Sequence, residues 1–456
     1  MTDADHGHSH ELPGGWSVWL GRTGLRVILG LLAVAAAVTA IAVVALWPDG
    51  SGRDEAAEAA TAVGLASDRV SGTIQSVTDA QCSYASPELP QDCRTVVVVP
   101  DGGTRAGEPI TLPEFNLDVE VYTPDFTVGE QIVLGFEPTT EAYFYADRDR
   151  RSSLLWLAAV FAVVVIALGR FRGVLALVSM SFTLVVLVGW LAPTVLDGTD
   201  PLLASVVAAS LIAFVGLYLT HGLTPTTTVA VAGTLGALLV TLAVSAFFFD
   251  ALEFTGLATE EGLALPIIAG GLDLPRLLLG GALLGALGAL DDVTITQVAT
   301  VGEVARRNPE LSRGQLIASG IRVGREHIAS TVNTLLLAYV GASMPLLLLF
   351  AVSSQSLDLL ANAELIAVEI ARTLCGSIGL VAAVPVTTAL AAAVVVERGP
   401  EPEEAHDDHE VEAVHDAHQV VAVHDVPEPV EPEPEAQPDP PASWDSFAPD
   451  SDDLEF

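Results

Sequence analysis

Arg276-Leu-Leu-Leu-Gly-Gly-Ala-Leu-Leu-Gly-Ala-Leu-Gly-Ala-Leu-Asp291-Asp292-Val-Thr-Ile-Thr-Gln297 is a run of leucine, alanine and glycine that meets two adjacent carboxylates. Its apolar part, Leu277 to Leu290, has 14 residues. A helix rising about 1.5 Å per residue needs roughly 20 to cross a hydrocarbon core of about 30 Å. The helix therefore runs on past the acids. Carried to Val298 it has 22 residues, and Asp291 and Asp292 then sit within or near the inner half of a membrane. A carboxylate at that depth is costly and marks a functional site by default.

Helical phase separates the two acids. At about 100° per residue, Gly281, Gly285, Gly288 and Asp292 share one stripe about 60° wide with Thr296 at its edge, while Asp291 lies about 80° off it. Stripes of small residues are where membrane helices approach closely, so Asp292 is expected to point into the bundle. Two roles are open for it: an ion or proton site or polar gate, and a cap or hydrogen bond to a neighbouring helix.

Seven further apolar runs surround this one: Leu25 to Trp47, Ser153 to Leu168, Val174 to Leu191, Leu202 to Thr220, Val229 to Phe249, Thr331 to Val352 and Thr373 to Val396. The chain is 51% hydrophobic and only 17% charged over 456 residues, which fits a multi-span membrane protein better than a soluble globule. The first run is longer than a secretory leader's apolar core and reads as an uncleaved anchor. The expected fold is an all-α polytopic membrane bundle of about eight transmembrane helices, with a small extracytoplasmic β-rich domain between spans one and two.

Arginine gives the orientation, because short cytoplasmic loops collect positive charge. With the amino terminus inside, inner loops hold Arg170 and Arg172, then Arg306, Arg307, Arg313, Arg322 and Arg325, then Arg398. Only Arg276 and Arg372 fall at outer span ends. Both termini are therefore expected in the cytoplasm. The net charge of −38 is uneven: 19 acids against 7 arginines between Asp49 and Arg151, and 20 against one from Glu397 to Phe456. That last stretch alternates proline with acid and reads as a disordered tail. Expected regions are a cytoplasmic tail at 1–24, an anchor at 25–47, the β-rich domain at 48–151, a seven-span core at 152–396 and the acidic tail at 397–456.

Between spans one and two the period changes to that of strands: Gly72 to Thr78, Thr95 to Pro100, Val119 to Thr123, Gln131 to Phe136 and Ala142 to Ala146, punctuated by glycine turns. A five-stranded barrel or sandwich is expected. Cys82 and Cys93 lie here with ten residues between them, either as a disulfide on the oxidising side or as two buried thiols. Cys375, in the last span, reads as a packing residue.

Span seven offers a polar face in Ser330, Asn333, Thr334 and Gly341, with Pro345 expected to bend it. Asn333 is a candidate contact of Asp292, and glue between helices is its plainer role. Before it, Asn308-Pro309-Glu310 reads as a helix start, and Arg325 and His327 stand closest to the span. His221, in a short inner loop, reads as an interface residue. Residues 264–275, with paired glycines and prolines, read as a re-entrant segment or an interfacial loop.

Several chemistries are absent. The chain has no lysine, which excludes Schiff-base and Walker-lysine chemistry. Its acidity argues against nucleic-acid binding. No Gly-x-Ser-x-Gly, His-Glu-x-x-His or dinucleotide fingerprint occurs, and neither Asp250 nor Asp273 is deep enough to complete an intramembrane aspartyl pair, so no enzyme activity is expected. His6, His8 and His10, with His406, His409, His415, His418 and His424, have spacing and acidic neighbours that can bind transition metals, with weak adventitious binding by the tails as the plainer reading, and no cofactor or metal centre is expected. Partners are the bilayer and an unidentified solute or protein.

Taken together, these residues resemble the YibE/F-like family of bacterial membrane proteins over roughly Arg172 to Ala392. The resemblance rests on Arg172-Gly173, Gly285-Ala-Leu-Gly-Ala-Leu-Asp-Asp-Val293, the Gly320 to His327 approach, the run Asn333 to Leu349, Gly376-Ser-Ile-Gly379 and Pro385-Val-Thr387. It implies a multi-pass plasma membrane protein with a small outer β domain. It also implies an acid at the position of Asp292, where the position of Asp291 can be apolar. It implies no activity. A permease or channel-like protein using Asp292 with Thr296, Asn333 and Thr334 is the leading functional expectation. A non-transporting scaffold or sensor is the other.

Overall fold

The computed structural model describes residues 22–63, 68–118 apart from 87 and 89, 124–137, 142–352 and 356–394. The histidines of both tails, the acidic tail and the strand expected at Val119 to Thr123 lie outside these residues. In chain order the elements are α1 (Arg22–Ala45), α2 (Ser51–Ala62), β1 (Asp68–Gln81), β2 (Asp92–Pro100), β3 (Ile110–Thr111), β4 (Phe115–Asn116), β5 (Gln131–Glu137) and β6 (Ala142–Arg148). There follow α3 (Arg151–Val186), a π turn at Leu187–Leu191, α4 (Ala192–Leu196), α5 (Pro201–His221), α6 (Pro225–Ala251), α7 (Glu260–Ile268) and α8 (Leu274–Arg307). The last are α9 (Arg313–Ala342), α10 (Met344–Val352), α11 (Leu357–Asn362) and α12 (Glu364–Val394).

Among the described residues six helices are long and apolar enough to cross a membrane, one of them the 46-residue stretch Arg151–Leu196. A straight helix of that length would measure about 69 Å, more than twice the hydrocarbon core. It breaks at Arg170, whose φ of 51° and ψ of −132° lie outside the helical region. There the chain turns back on itself. A Cβ on Gly173 would overlap the Val165 carbonyl eight residues earlier, where a continuous helix would keep the two about 12 Å apart. The runs Ser153 to Leu168 and Val174 to Leu191 are thus the two arms of a hairpin.

The expected span Thr331 to Val352 is divided differently. Asn308 is the C-cap of α8, and α9 begins at a capping box in which Ser312 and Gln315 each satisfy the other's backbone N–H. The helix start is therefore Ser312 rather than Asn308-Pro309-Glu310, because the Ser-x-x-Gln pair supplies the side-chain acceptors. α9 stops at Ser343, and Pro345 sits in the first turn of α10, where its missing N–H costs nothing. Residues 264–275 form the end of the short α7, a turn with Gly271 at φ +86°, and the Asp273 N-cap of α8.

The β domain is one antiparallel sheet in the order β3-β2-β1-β5-β6, with β4 also on β2. Five of its six described strands lie on this path and β4 lies off it, in place of the expected five-stranded barrel or sandwich. The long β1 makes this possible: it pairs with β5 over Asp68–Thr73 and with β2 over Gly72–Gln81, shifting register between Ile74 and Ser76. Val96, Val98, Ile132 and Leu134 alternate inward and bury a core with Ile74 and Tyr143. Cys82 and Cys93 form a disulfide, with Cα atoms 4.8 Å apart.

Loops tie one end of the bundle to the segment after α1. Gly50 and Gly52 donate backbone N–H groups to the Asp197 carboxylate at 3.0 and 2.9 Å. α2 packs on α7 and α4. Arg276 pairs with Asp200, and Glu364 accepts from Thr255 and Gly256. At the opposite end, a Cβ on Gly24 of α1 would come 2.8 Å from the Ala393 carbonyl of α12. In the bundle α6 packs against α5, α8 and α12. Small residues permit these approaches: a Cβ on Gly379 would overlap the Thr241 hydroxyl, and one on Gly280 the Ser205 hydroxyl.

Candidate functional site

The packed face of α8 is made of Leu283, Ala286, Leu287, Leu290, Thr294 and Gln297, all buried. Asp292 lies about 180° from the centre of that face and Asp291 about 90° from it. The structure accordingly leaves Asp292 exposed and turns Asp291 inward, the reverse of the orientation expected from the glycine stripe. The physical reason is that Leu, Ala and Thr side chains fill the space between α8, α6 and α12, and glycine contributes no side chain to a packed surface. Gly281, Gly285 and Gly288 are exposed, and a Cβ on Gly288 or on Gly341 would meet nothing within 4 Å. The close approaches on α8 are at Gly280, against the Ser205 hydroxyl, and at Gly285, where a Cβ would come 2.5 Å from the Tyr339 hydroxyl of α9.

Asp291 faces the Thr234 hydroxyl of α6. Its Oδ1 is buried and has no hydrogen-bond partner among the described residues. Thr234 and Thr294 share a hydrogen bond of 2.7 Å, and Thr294 also lies 3.1 Å from the Asp291 carbonyl oxygen. One turn further along α8, Gln297 donates to the Gly320 carbonyl at 2.8 Å and to Thr388 at 2.7 Å. Thr241 and Ser245 of α6 and Thr387 of α12 are also buried. The Ser245, Ser377 and Thr387 hydroxyls have no hydrogen-bond partner among the described residues. A seam of hydroxyls and one carboxylate thus runs along the contacts of α6, α8 and α12. A buried oxygen without a partner is costly in a low-dielectric interior.

The other expected site residues are not brought to this seam. Thr296 and Thr334 bond their own helix backbone, at Asp292 O (2.8 Å) and Ser330 O (3.0 Å). Asn333 is exposed, and no hydrogen bond joins it to Asp292. Arg325 and His327 are exposed as well. Asp292 lies within electrostatic reach of His221, as does Arg172, so three polar residues from α8, α5 and the α3 hairpin gather near its turn. Cys375 is a buried free thiol. Among the described residues no three His, Cys, Asp or Glu side chains form a metal-binding group.

Sequence reasoning missed Thr234, Gln297, Thr387 and Thr388. A signal for the α6 side was available: Thr227, Thr234, Thr241 and Ser245 repeat at intervals of seven, seven and four and share one helical stripe. Arg372 was expected at an outer span end. It lies eight residues inside α12, because the helix starts at Glu364 rather than at Thr373.

No curated protein and no solved structure matches the chain. A family model described as YibE/F-like protein matches residues 157–397, which include α5 to α12 and every residue of the seam. The match spans more than half of the chain, and with six helices able to cross a membrane it supports a membrane protein. The chain belongs to the YibE/F-like protein family.

Proposed function

We propose that this protein is a permease or channel-like membrane protein in which Asp291, on the seam between α6, α8 and α12, takes up and releases a proton or small cation. The observation that carries the reading is the buried, unpartnered Oδ1 of Asp291 among hydroxyl groups. An intramembrane carboxylate of this kind is the ordinary means of coupling an ion to a polar path. We further read eight spans in the plasma membrane of a bacterium, with both termini cytoplasmic, the β domain outside and no enzyme activity. The arginines of the α3 hairpin and of the α8–α9 connection support that orientation. So does the gathering of the segment after α1 with the α4–α5, α6–α8 and α11–α12 connections at one end of the bundle.

Proton or cation flux into proteoliposomes holding the full chain, followed with a pH- or cation-sensitive dye, tests the proposal. Asp291→Asn should abolish flux with normal folding, and Asp292→Asn should keep most of it. Equal flux in wild type and Asp291→Asn would reject it. The reading as a non-transporting scaffold or sensor has one observation of its own: the Asp197 clasp on Gly50 and Gly52 links the β-domain side of the chain to the bundle. An Asp197→Ala phenotype in cells, without any flux in liposomes, would favour it.

A further inference from the structure

α1 is fastened to the bundle at its two ends and stands off it in between. At the amino-terminal end a Cβ on Gly24 would come 2.8 Å from the Ala393 carbonyl of α12. At the carboxy-terminal end the Trp190 indole N–H donates to the Val43 carbonyl at 3.3 Å, and the Thr194 hydroxyl to the Leu46 carbonyl at 3.2 Å. The last turn of α1 makes the first of these bonds possible, because Trp47 donates its N–H to the Val44 carbonyl and leaves that of Val43 to the indole. Between the fastenings two spaces open beside α1. One, of about 230 Å³, lies against α5 and α6, and the other, of about 640 Å³, against α6 and α12. Ala35, Leu235 and Leu239 line both, so the two adjoin at the middle of α1.

The walls are apolar in fact as well as in composition. Thr39 and Ser210, the polar side chains on them, turn their hydroxyls back to the Ala35 and Val206 carbonyls of their own helices at 2.9 and 2.8 Å. Small residues at Ala35, Ala209, Ala232 and Gly236 leave the width that larger side chains would fill. Leu31, Val38 and Leu239 at the rim are exposed, so the slot opens sideways. Every wall helix is long and apolar enough to cross a membrane. The wall residue nearest a helix end is Leu390, four residues or about 6 Å before Val394. The slot therefore lies at the depth of hydrocarbon.

Its dimensions identify the occupant. On α1 the walls run from Ile28 to Thr39, about 16 Å, and on α6 from Ala232 to Leu242, about 15 Å. Half of a hydrocarbon core of about 30 Å is the depth that one acyl chain reaches. A second helix about 10 Å across would need about 1,200 Å³ over this length, more than either space holds. Water finds too few polar partners there. Left empty, the slot would deprive its leucine walls of contacts on one side.

We propose that the slot between α1 and the bundle holds one acyl chain of a bilayer phospholipid, which completes the packing of α1 on α5, α6 and α12. No residue of the Asp291 seam lines it, and the inference does not rest on the transport reading. Full-length protein is reconstituted in nanodiscs with phosphatidylcholine carrying a diazirine near the end of one chain. It is then extracted into detergent, washed by gel filtration and illuminated, and the adducts are mapped by mass spectrometry. Washing removes lipid in passing contact and leaves a lodged chain.

The expected adducts fall on α1 between Ile28 and Thr39 and on α6 between Ala232 and Leu242, with few on the first arm of the α3 hairpin, where Leu155 and Trp156 are exposed. Ala35→Phe, which fills the middle of the slot, should cut the slot adducts to the level of the α3 arm. Leu239→Phe, at an exposed rim position that tolerates a larger side chain, should do the same and decides alone should Ala35→Phe fail to fold. Leu29→Phe, exposed on α1 away from the walls, should leave the adducts unchanged. The proposal is overturned if adducts spread evenly over α1, α6 and the α3 arm, which would mean bulk lipid contact only. It is equally overturned if they survive unchanged in the folded slot variants, or if a dimer without slot adducts shows a second copy of the chain in that place.

Discussion

Asp291→Leu exchanges a carboxylate for an apolar side chain of the same number of heavy atoms, so it separates the cost of the charge from the filling of space. In the folded protein Oδ1 is buried without a partner, a defect that costs about 1–3 kcal/mol. The substitution removes that cost. It also removes the contact with Thr234, a contribution of about 1 kcal/mol, although Thr234 keeps its 2.7 Å bond to Thr294. The balance is a change between about zero and 2 kcal/mol in favour of the folded state. Asp292→Leu, on the exposed side of the same turn, should change stability by no more than about 0.5 kcal/mol. The assay is unfolding of the full-length protein in mixed micelles with increasing SDS, read by tryptophan fluorescence, with flux measured on the same preparations. An Asp291→Leu protein that is at least as stable as wild type and inactive is the expected outcome. A loss of about 2 kcal/mol or more would refute the reasoning, because it would mean that the carboxylate is satisfied and structural.

The Cys82–Cys93 bridge joins residues 11 apart in sequence, for which chain-entropy arguments give about 3 kcal/mol; reduction should therefore speed amide exchange in β1 and β2 of the full-length protein while α6 and α8 stay protected. Glu130 pairs with Arg148, and the guanidinium together with the Thr127 N–H and hydroxyl holds its carboxyl below the ordinary value. A lowered folded-state value means a contribution present above the unfolded value of about 4.3 and lost as pH falls through the folded one. Exchange in β5 and β6 should therefore rise below about pH 4, and Glu130→Gln should flatten that dependence. Asp197→Ala leaves two backbone N–H donors without their acceptor and should cost about 2–3 kcal/mol, seen as faster exchange in α2. Unchanged protection of α2 would show that its packing on α7 suffices. Gln297→Leu, which removes both buried bonds joining α8 to Gly320 and Thr388, should lower stability by a similar amount in the SDS titration.

The membrane class, the arginine-rich turns, the strand period between spans one and two and the family resemblance were all legible in the chain, because they depend on composition and period alone. Bilayer thickness fixes how long an apolar run must be, and a polar backbone in lipid forces it into helix. The Cys82–Cys93 pairing was left with two outcomes, since spacing does not say whether two Cα atoms approach to 4.8 Å. Tertiary structure alone decided which acid on α8 faces inward. Phase gives the angle between Asp291 and Asp292 but not the direction in which either points, because that is set by whichever face of the helix fills the space beside its neighbours. The glycine stripe and the leucine–alanine face were both available, and packing selected the face with side chains to interdigitate. Only the assembled bundle brings Thr234 against Asp291, Gln297 against Thr388, and Tyr339 over Gly285. These partners are separated by tens of residues in the chain and meet only because α6, α8, α9 and α12 pack together.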